Sequence, residues 1–134
     1  MTEWRASDAW QPEGGGAAGA AEEELDRELL RALYADYGAD VIAEIVADLP
    51  AEVDESFARL RTAAADADAA AADRAFHALK GTALGLGLCG FARACEAGER
   101  AARSGRAPGR AEVDALSMHW ERAYAHFEAF DPAA

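Results

Sequence analysis

The stretch AAAADRAFHALKGTALGLG, residues 69–87, decides the fold of this chain. Its apolar residues recur every three or four positions, which is the period of an α-helix with one buried face. Asp66 or Asp68 can cap the start of this helix, and Gly85 or Gly87 can end it. The stretch therefore predicts one helix of a bundle, with an inward face made of Ala69, Ala72, Phe76, Leu79, Ala83 and Leu86.

Helical periods continue upstream of this stretch. A short first helix is predicted from Glu22 to about Tyr37, with Gly38 as its stop. A longer helix should follow and fade near Ala65, and Pro50 is expected to kink it because proline lacks a backbone donor. The predicted inward stripe of this longer helix consists of Val41, Ile42, Ile45, Leu49, Val53, Phe57 and Leu60.

Two more helices are predicted downstream. One runs from about Leu88 to Arg103 with Phe91 and Cys95 inward, and residues 104–109 break it. The last helix carries an apolar stripe of Val113, Leu116, Trp120, Ala123, Phe127 and Phe130. Since no segment shows a period of two, we expect an all-α fold. It should be an antiparallel four-helix bundle with a short additional N-terminal helix.

The first 21 residues differ from the rest in composition. They contain Pro12, three consecutive glycines and no sustained apolar period, so a flexible tail is predicted over residues 1–21 and one helical domain over residues 22–134. Trp4 and Trp10 are unusual in such a tail. They are either incidental or pack on the domain or a partner, and we assign them no function.

Charge and composition exclude several classes of partner. The net charge is -12, which repels a phosphate backbone or an anionic bilayer, so neither nucleic acid nor membrane is an expected partner. No signal peptide or long apolar run is present, and we expect a cytoplasmic monomer. Cys89 and Cys95 would lie about 9 Å apart on a helix, too far to bridge, so both are expected to be reduced.

His77 is the residue in this pattern with the clearest chemical potential. With Phe76 in the core, His77 lies about 125° from the centre of the buried face and should point to solvent. Lys80 is one turn away and can pair with an anion on the ring, and Gly81 would let another backbone approach closely. The predicted docking surface around His77 consists of Ala70, Asp73, Arg74, Gly81, Leu84 and Leu88.

The segment AFHALKGTALGLG, Ala75 to Gly87, resembles the signature of histidine-containing phosphotransfer (HPt) domains. The signature is His-x-Leu-Lys-Gly followed by a Leu-Gly pair, here His77, Leu79, Lys80, Gly81, Leu86 and Gly87. Pro50, the aspartates before the histidine helix, Cys95 and Glu99 also fit the family, over roughly residues 22–130. Leu88 and Thr82 depart from it, because small residues and serine are usual there.

The resemblance implies a phosphoryl carrier in a multistep phosphorelay of a two-component system. His77 would be phosphorylated on Nε2 by a response-regulator receiver aspartate or a sensor histidine kinase, and Lys80 would steady the phosphoryl oxygens. The chain has no nucleotide loop or clustered metal carboxylates, so no bound cofactor, metal or autonomous ATP-dependent kinase activity is expected. Magnesium is expected in the receiver partner.

Two other interpretations remain beside this one. An HPt-like helical module could bind and regulate a kinase or receiver without carrying phosphate, since a fold alone does not define a function. A metal site on His119 and His126 is disfavoured because they would lie about 10 Å apart along a helix. Both histidines are expected at the polar edge of the last helix.

Overall fold

The computed structural model describes residues 24–133, and every regular element within that range is an α-helix. The predicted all-α class is confirmed. The five helices are α1 (Arg27–Ala47), α2 (Leu49–Ala65), α3 (Ala69–Gly85), α4 (Cys89–Arg103) and α5 (Arg110–Glu128). The predicted tail, residues 1–21 with Trp4 and Trp10, lies outside the described residues.

Helices α2 to α5 form the predicted four-helix bundle. Each packs against the next in chain order, and α5 packs back on α2, which closes the bundle. Short connections make consecutive helices antiparallel. The core is apolar, and its largest fully buried side chains include Phe76, Phe91, Leu60, Leu79 and Leu116.

Helix α1 lies outside the four and packs on α2. It is broken at Gly38, whose φ of 80° and ψ of 159° suit glycine best, and it resumes to Ala47. The predicted stop at Gly38 is confirmed, because the backbone of this residue leaves the helical region and divides α1 into two helical segments. Asp26 caps α1 by accepting a hydrogen bond from the backbone of Leu29, so the described helix begins later than the predicted Glu22.

The longer helix predicted to pass through Pro50 with a kink is interrupted at Asp48, two residues before the proline. Asp48 separates α1 from α2, and Pro50 lies in the first turn of α2, where a backbone N–H has no partner within the helix to lose. Because the two segments are different helices, their apolar residues do not share one stripe. Val41 and Ile45 are exposed, whereas Ile42, Leu49 and Val53 are buried.

Helix α3 begins and ends as the sequence predicts. The Asp68 carboxylate accepts a hydrogen bond from the backbone of Ala71 at 3.0 Å, and the helix ends at Gly85. Gly87 then takes a φ of 73°, and the chain reverses into α4. This tight reversal lays α3 and α4 side by side, and theirs is the most extensive contact between the described helices.

His119 on α5 is buried, so the prediction that it lies at a polar edge is wrong. Its Nε2 lies 2.8 and 3.0 Å from the two carboxylate oxygens of Glu24. The Glu24 side chain also lies against Gly90 in the first turn of α4, where a helix N-terminus favours negative charge. Glu24, just before α1, is thereby fixed to the bundle. His126 is half-buried.

The two cysteines form no disulfide with each other, as expected. Cys89 and Cys95 are both free thiols. Burial, with a smaller contribution from the nearby Glu99 carboxylate, raises the pKa of the Cys95 thiol far above its ordinary value, which leaves it chemically inert. No helix between residues 24 and 133 has the length and apolarity that a membrane crossing requires.

Candidate functional site

His77 lies in the middle of α3 on the face turned away from the core. Its side chain is 68% exposed, whereas that of the preceding Phe76 is fully buried. The predicted orientation of His77 toward solvent is confirmed. The helix holds this geometry because Phe76, Leu79 and Ala83 anchor the opposite face.

A buried glutamate on α4 lies beneath the imidazole. The Glu99 side chain is only 1% exposed, and its Oε2 lies 2.8 Å from Nδ1 of His77. Its other oxygen, Oε1, accepts a hydrogen bond from Nζ of Lys80 at 2.6 Å. One carboxylate therefore joins the two predicted site residues, which lie one turn apart on α3.

Arg103 and Asp73 extend this group of charges. Arg103, one turn after Glu99 on α4, places Nη2 3.3 Å from Oε2 of Glu99. Its Nε lies 3.2 Å from Oδ1 of Asp73, one turn before His77 on α3. That Asp73 oxygen is buried, and the contact is an ion pair without hydrogen-bond geometry. The network consists of Asp73, His77, Lys80, Glu99 and Arg103.

The charge state of Glu99 follows from these neighbours. Burial raises the pKa of its carboxyl, but the hydrogen bonds from Lys80 and His77, together with the positive charges of Lys80 and Arg103, lower it by more. The net result is a pKa below the ordinary value of 4.5. Glu99 is therefore an ionised carboxylate at neutral pH.

An ionised carboxylate fixes the tautomer of the neutral His77 ring. Because it can only accept hydrogen bonds, Nδ1 of His77 must carry the proton that it shares with Glu99. In a neutral imidazole the other nitrogen, Nε2, then holds a lone pair. The exposed side of the ring thus presents its nucleophilic nitrogen to solvent.

The predicted docking surface is only partly assembled in the structure. Ala70, Arg74, Gly81 and Leu84 are exposed, and Leu84 is 53% exposed despite its apolar side chain. Asp73 and Lys80 are half-buried because they pair with α4.

Leu88 does not belong to that surface. It is fully buried, because the chain reverses after α3 and the helical register of α3 does not extend to it. Its backbone N–H bonds to the carbonyl of Ala83 at 2.8 Å, and its side chain enters the core.

The resemblance to the family includes Glu99 only as a matching position, without a role. The sequence nevertheless carries a signal that Glu99 is buried. Phe91, Cys95 and Glu99 are spaced four apart, so they share the inward face of α4. A carboxylate on a buried helical face is rare unless it is paired, and this pattern predicts a cationic partner on a neighbouring helix.

The described part of the chain shows no candidate metal site. Residues 24–133 contain no group of three or more histidine, cysteine, aspartate or glutamate side chains placed to hold an ion. His119 is buried and His126 is half-buried, so the two side chains lie in different surroundings.

Comparison with known families adds an independent observation. The family model for the Hpt domain matches residues 44–129, which is more than half of the chain. The matched range contains all four helices of the bundle, and with them His77, Lys80 and Glu99. No curated protein and no solved structure matches the chain significantly.

Proposed function

The chain belongs to the Hpt domain family and is a histidine phosphotransfer module of a phosphorelay, and we propose that His77 is its phosphoryl-carrying residue. The phosphoryl group would reach His77 from a receiver aspartate or a histidine kinase and leave it for another receiver aspartate. Family membership supports the class of reaction, and the residues of the site support the choice of His77.

One observation carries the proposal. A buried, ionised glutamate holds Nδ1 of a histidine whose side chain is 68% exposed. A surface histidine without a function needs no such support, since burying a carboxylate is costly unless its partners compensate. Here the partners are Lys80 and His77, and the result is a ring of fixed orientation with Nε2 outward.

The transfer step follows from this geometry. The lone pair of Nε2 attacks the phosphorus of an aspartyl phosphate, and a P–N bond forms as the P–O bond to the aspartate breaks. The aspartate leaves as a carboxylate. The imidazole becomes positively charged, and its Nδ1 proton stays in the hydrogen bond to Glu99, whose negative charge stabilises the phosphorylated ring.

Lys80 supports the site through the same carboxylate. Its ammonium bonds to Glu99 at 2.6 Å, and its side chain is 20% exposed, so it keeps Glu99 ionised while lying close to the solvent side. We propose that it also neutralises the phosphoryl oxygens once they are attached to Nε2. Its position one turn from His77 places both side chains on the same face of α3.

Most of the catalysis would come from the partner. Phosphoryl transfer requires in-line positioning and charge neutralisation, which magnesium supplies in many enzymes. We propose that a receiver domain contributes the magnesium, and that this chain contributes an oriented nucleophile and a cation. On this proposal the chain neither binds ATP nor phosphorylates itself.

The exposed surface next to His77 is suited to such a partner. A Cβ at Gly81 would meet no atom of the described chain within 4 Å, so internal packing does not require glycine there. Glycine costs about 1 kcal/mol relative to alanine inside a helix, which close approach of a partner backbone would explain. Exposed Leu84 adds an apolar contact one turn farther along α3.

The proposal is tested by incubating the protein with a phosphorylated receiver and magnesium. We expect an acid-labile, base-stable label on the wild-type protein and none on His77→Gln. His126→Gln is the matched control, because it removes another histidine, half-buried on α5, and should keep the label. Circular dichroism should show equal helicity in all three proteins.

Two outcomes would contradict the proposal. Label that persists on His77→Gln would place the phosphoryl group elsewhere. A wild-type protein that binds a range of phosphorylated receivers without taking up label would instead favour a regulatory module that carries no phosphate.

A further inference from the structure

Gly98, which immediately precedes Glu99, lies where α4 packs against α3. A Cβ built on Gly98 would lie 2.5 Å from both Cε1 and Cζ of Phe76 and 2.9 Å from its Cδ1. Carbon atoms in favourable contact are about 3.5–4.0 Å apart, so no side chain fits between the α4 backbone and this ring. The Phe76 ring thus occupies the space of a missing side chain.

The ring has little room to yield. Phe76 is fully buried, and the cavity that it borders together with Gly98 and Pro108 has a volume of only about 10 Å³. Protein interiors are packed at the density of organic crystals, so a displaced ring would push its neighbours. The contact between Phe76 and Gly98 therefore sets how closely the two helices approach.

The contact between Phe76 and Gly98 lies next to the hydrogen bond between His77 and Glu99 on both helices. Phe76 precedes His77 on α3, and Gly98 precedes Glu99 on α4, so the spacing at one pair controls the spacing at the next. The hydrogen bond between Nδ1 of His77 and Glu99 is 2.8 Å long. An added methyl group needs roughly 1 Å more room, and a bond stretched by that amount is no longer a hydrogen bond.

We propose that Gly98 is a positioning residue for the phosphoryl acceptor. By admitting the Phe76 ring, it holds α4 close enough to α3 for Glu99 to bind Nδ1 of His77 and Nζ of Lys80. This inference rests on the proposed function for its consequence in transfer, but the geometry that it describes can be measured without transfer.

The test is Gly98→Ala, read out in two ways. The ¹⁵N chemical shifts of the His77 ring report which nitrogen carries the proton, and we expect Nδ1–H in the wild type. In Gly98→Ala the ring should move toward the tautomer mixture of an unrestrained imidazole. Phosphoryl uptake from a receiver should fall about tenfold or more, as expected when a supporting hydrogen bond is lost.

Two further variants separate positioning from general damage. Gly85→Ala adds the same methyl group to α3 at a site with no atom within 4 Å, and it should leave the tautomer unchanged. Phe76→Leu/Gly98→Ala removes the ring that causes the clash, and it should return both the tautomer and the uptake toward wild-type values.

If Gly98→Ala alone fails to fold, the double variant still tests the positioning role of Gly98. A wild-type tautomer in Gly98→Ala, or an altered one that the double variant does not restore, would overturn the proposal. If the wild type shows Nδ1–H but takes up no phosphate, the proposed function fails while the positioning by Gly98 stands. The two failures are therefore distinguishable.

Discussion

Residues 24–133 contain two histidine–glutamate pairs that differ in the burial of the histidine. In the pair on α3 and α4, His77 is 68% exposed and Glu99 only 1% exposed. In the pair that joins α5 to the residues before α1, His119 is 3% exposed and Glu24 12% exposed. In the first pair the acid is buried and the histidine is exposed, whereas in the second both side chains are buried.

The nitrogen that is bound differs as well. Glu99 binds Nδ1 of His77 and leaves Nε2 toward solvent, whereas Glu24 binds Nε2 of His119 inside the protein. The His119 ring also packs edge to face against the Phe91 ring, with 5.7 Å between the ring centroids. The same two residue types thus build a nucleophile in one place and a structural link in the other, and the difference lies in whether the histidine is buried.

The strongest way to break the first pair is Glu99→Gln. The amide can donate to Nδ1, which favours the tautomer with the proton on Nε2, and the positive charge of Lys80 loses its partner. We expect transfer to slow on the order of 10- to 100-fold with helicity retained. Rates of label uptake at saturating phosphorylated receiver measure this, and an unchanged rate would remove Glu99 from the mechanism.

In the second pair, His119→Phe should lower the free energy of unfolding and leave the transfer rate unchanged. The substitution keeps a ring against Phe91 but leaves the Glu24 carboxylate without its hydrogen bond, at an expected cost of about 2 kcal/mol in the free energy of unfolding. Urea unfolding gives this value, and His126→Phe is the matched control. A transfer rate that fell as far as in Glu99→Gln would show that the two pairs are not independent.

Substitutions at Gly81 test whether a partner approaches the exposed surface beside His77. Gly81→Ala should stabilise the fold by about 1 kcal/mol because alanine is the better helix former. Gly81→Gln should leave the fold intact and slow transfer by about tenfold through obstruction of the partner, equivalent to about 1.4 kcal/mol. Uptake kinetics at several receiver concentrations distinguish these effects, and equal rates for the three proteins would contradict close approach at this residue.

Unfolding at low pH tests the contribution of the Glu99 carboxylate to stability. Because the pKa of this carboxyl is lower in the folded than in the unfolded state, its contribution to stability is complete above about pH 4.5 and is lost as pH falls through the folded pKa. The wild type should therefore lose stability more steeply below pH 4.5 than Glu99→Gln does. Urea midpoints between pH 6 and pH 3 would show parallel curves if this is wrong.

Much of the fold could be predicted because it depends on local patterns. The Asp68 cap, the end of α3 at Gly85 and the exposure of His77 each follow from residues within a few turns. The prediction fails where a pattern is extended past the end of a helix. Continuing the register of α3 puts Leu88 on the surface, and continuing the stripe before Asp48 puts Pro50 inside a helix that in fact begins just before it.

The site was less predictable because its key contacts join separate helices. The contact between Glu99 and His77 depends on the rotation and spacing of α4 relative to α3, which Phe76 and Gly98 determine. The partner of His119 is farther away still, in the residues before α1. Helical periodicity assigns a side chain to a face, but it does not identify the residue that it will meet.

The sequence separation of the two pairs has a consequence for the order of folding. His77 and Glu99 are 22 residues apart within one helical hairpin, whereas Glu24 and His119 are 95 apart. Closing the longer loop costs about 1.3 kcal/mol more in chain entropy. The hairpin can therefore assemble the acceptor while Glu24 and His119 are still separate, and local opening at Glu24 need not disturb it.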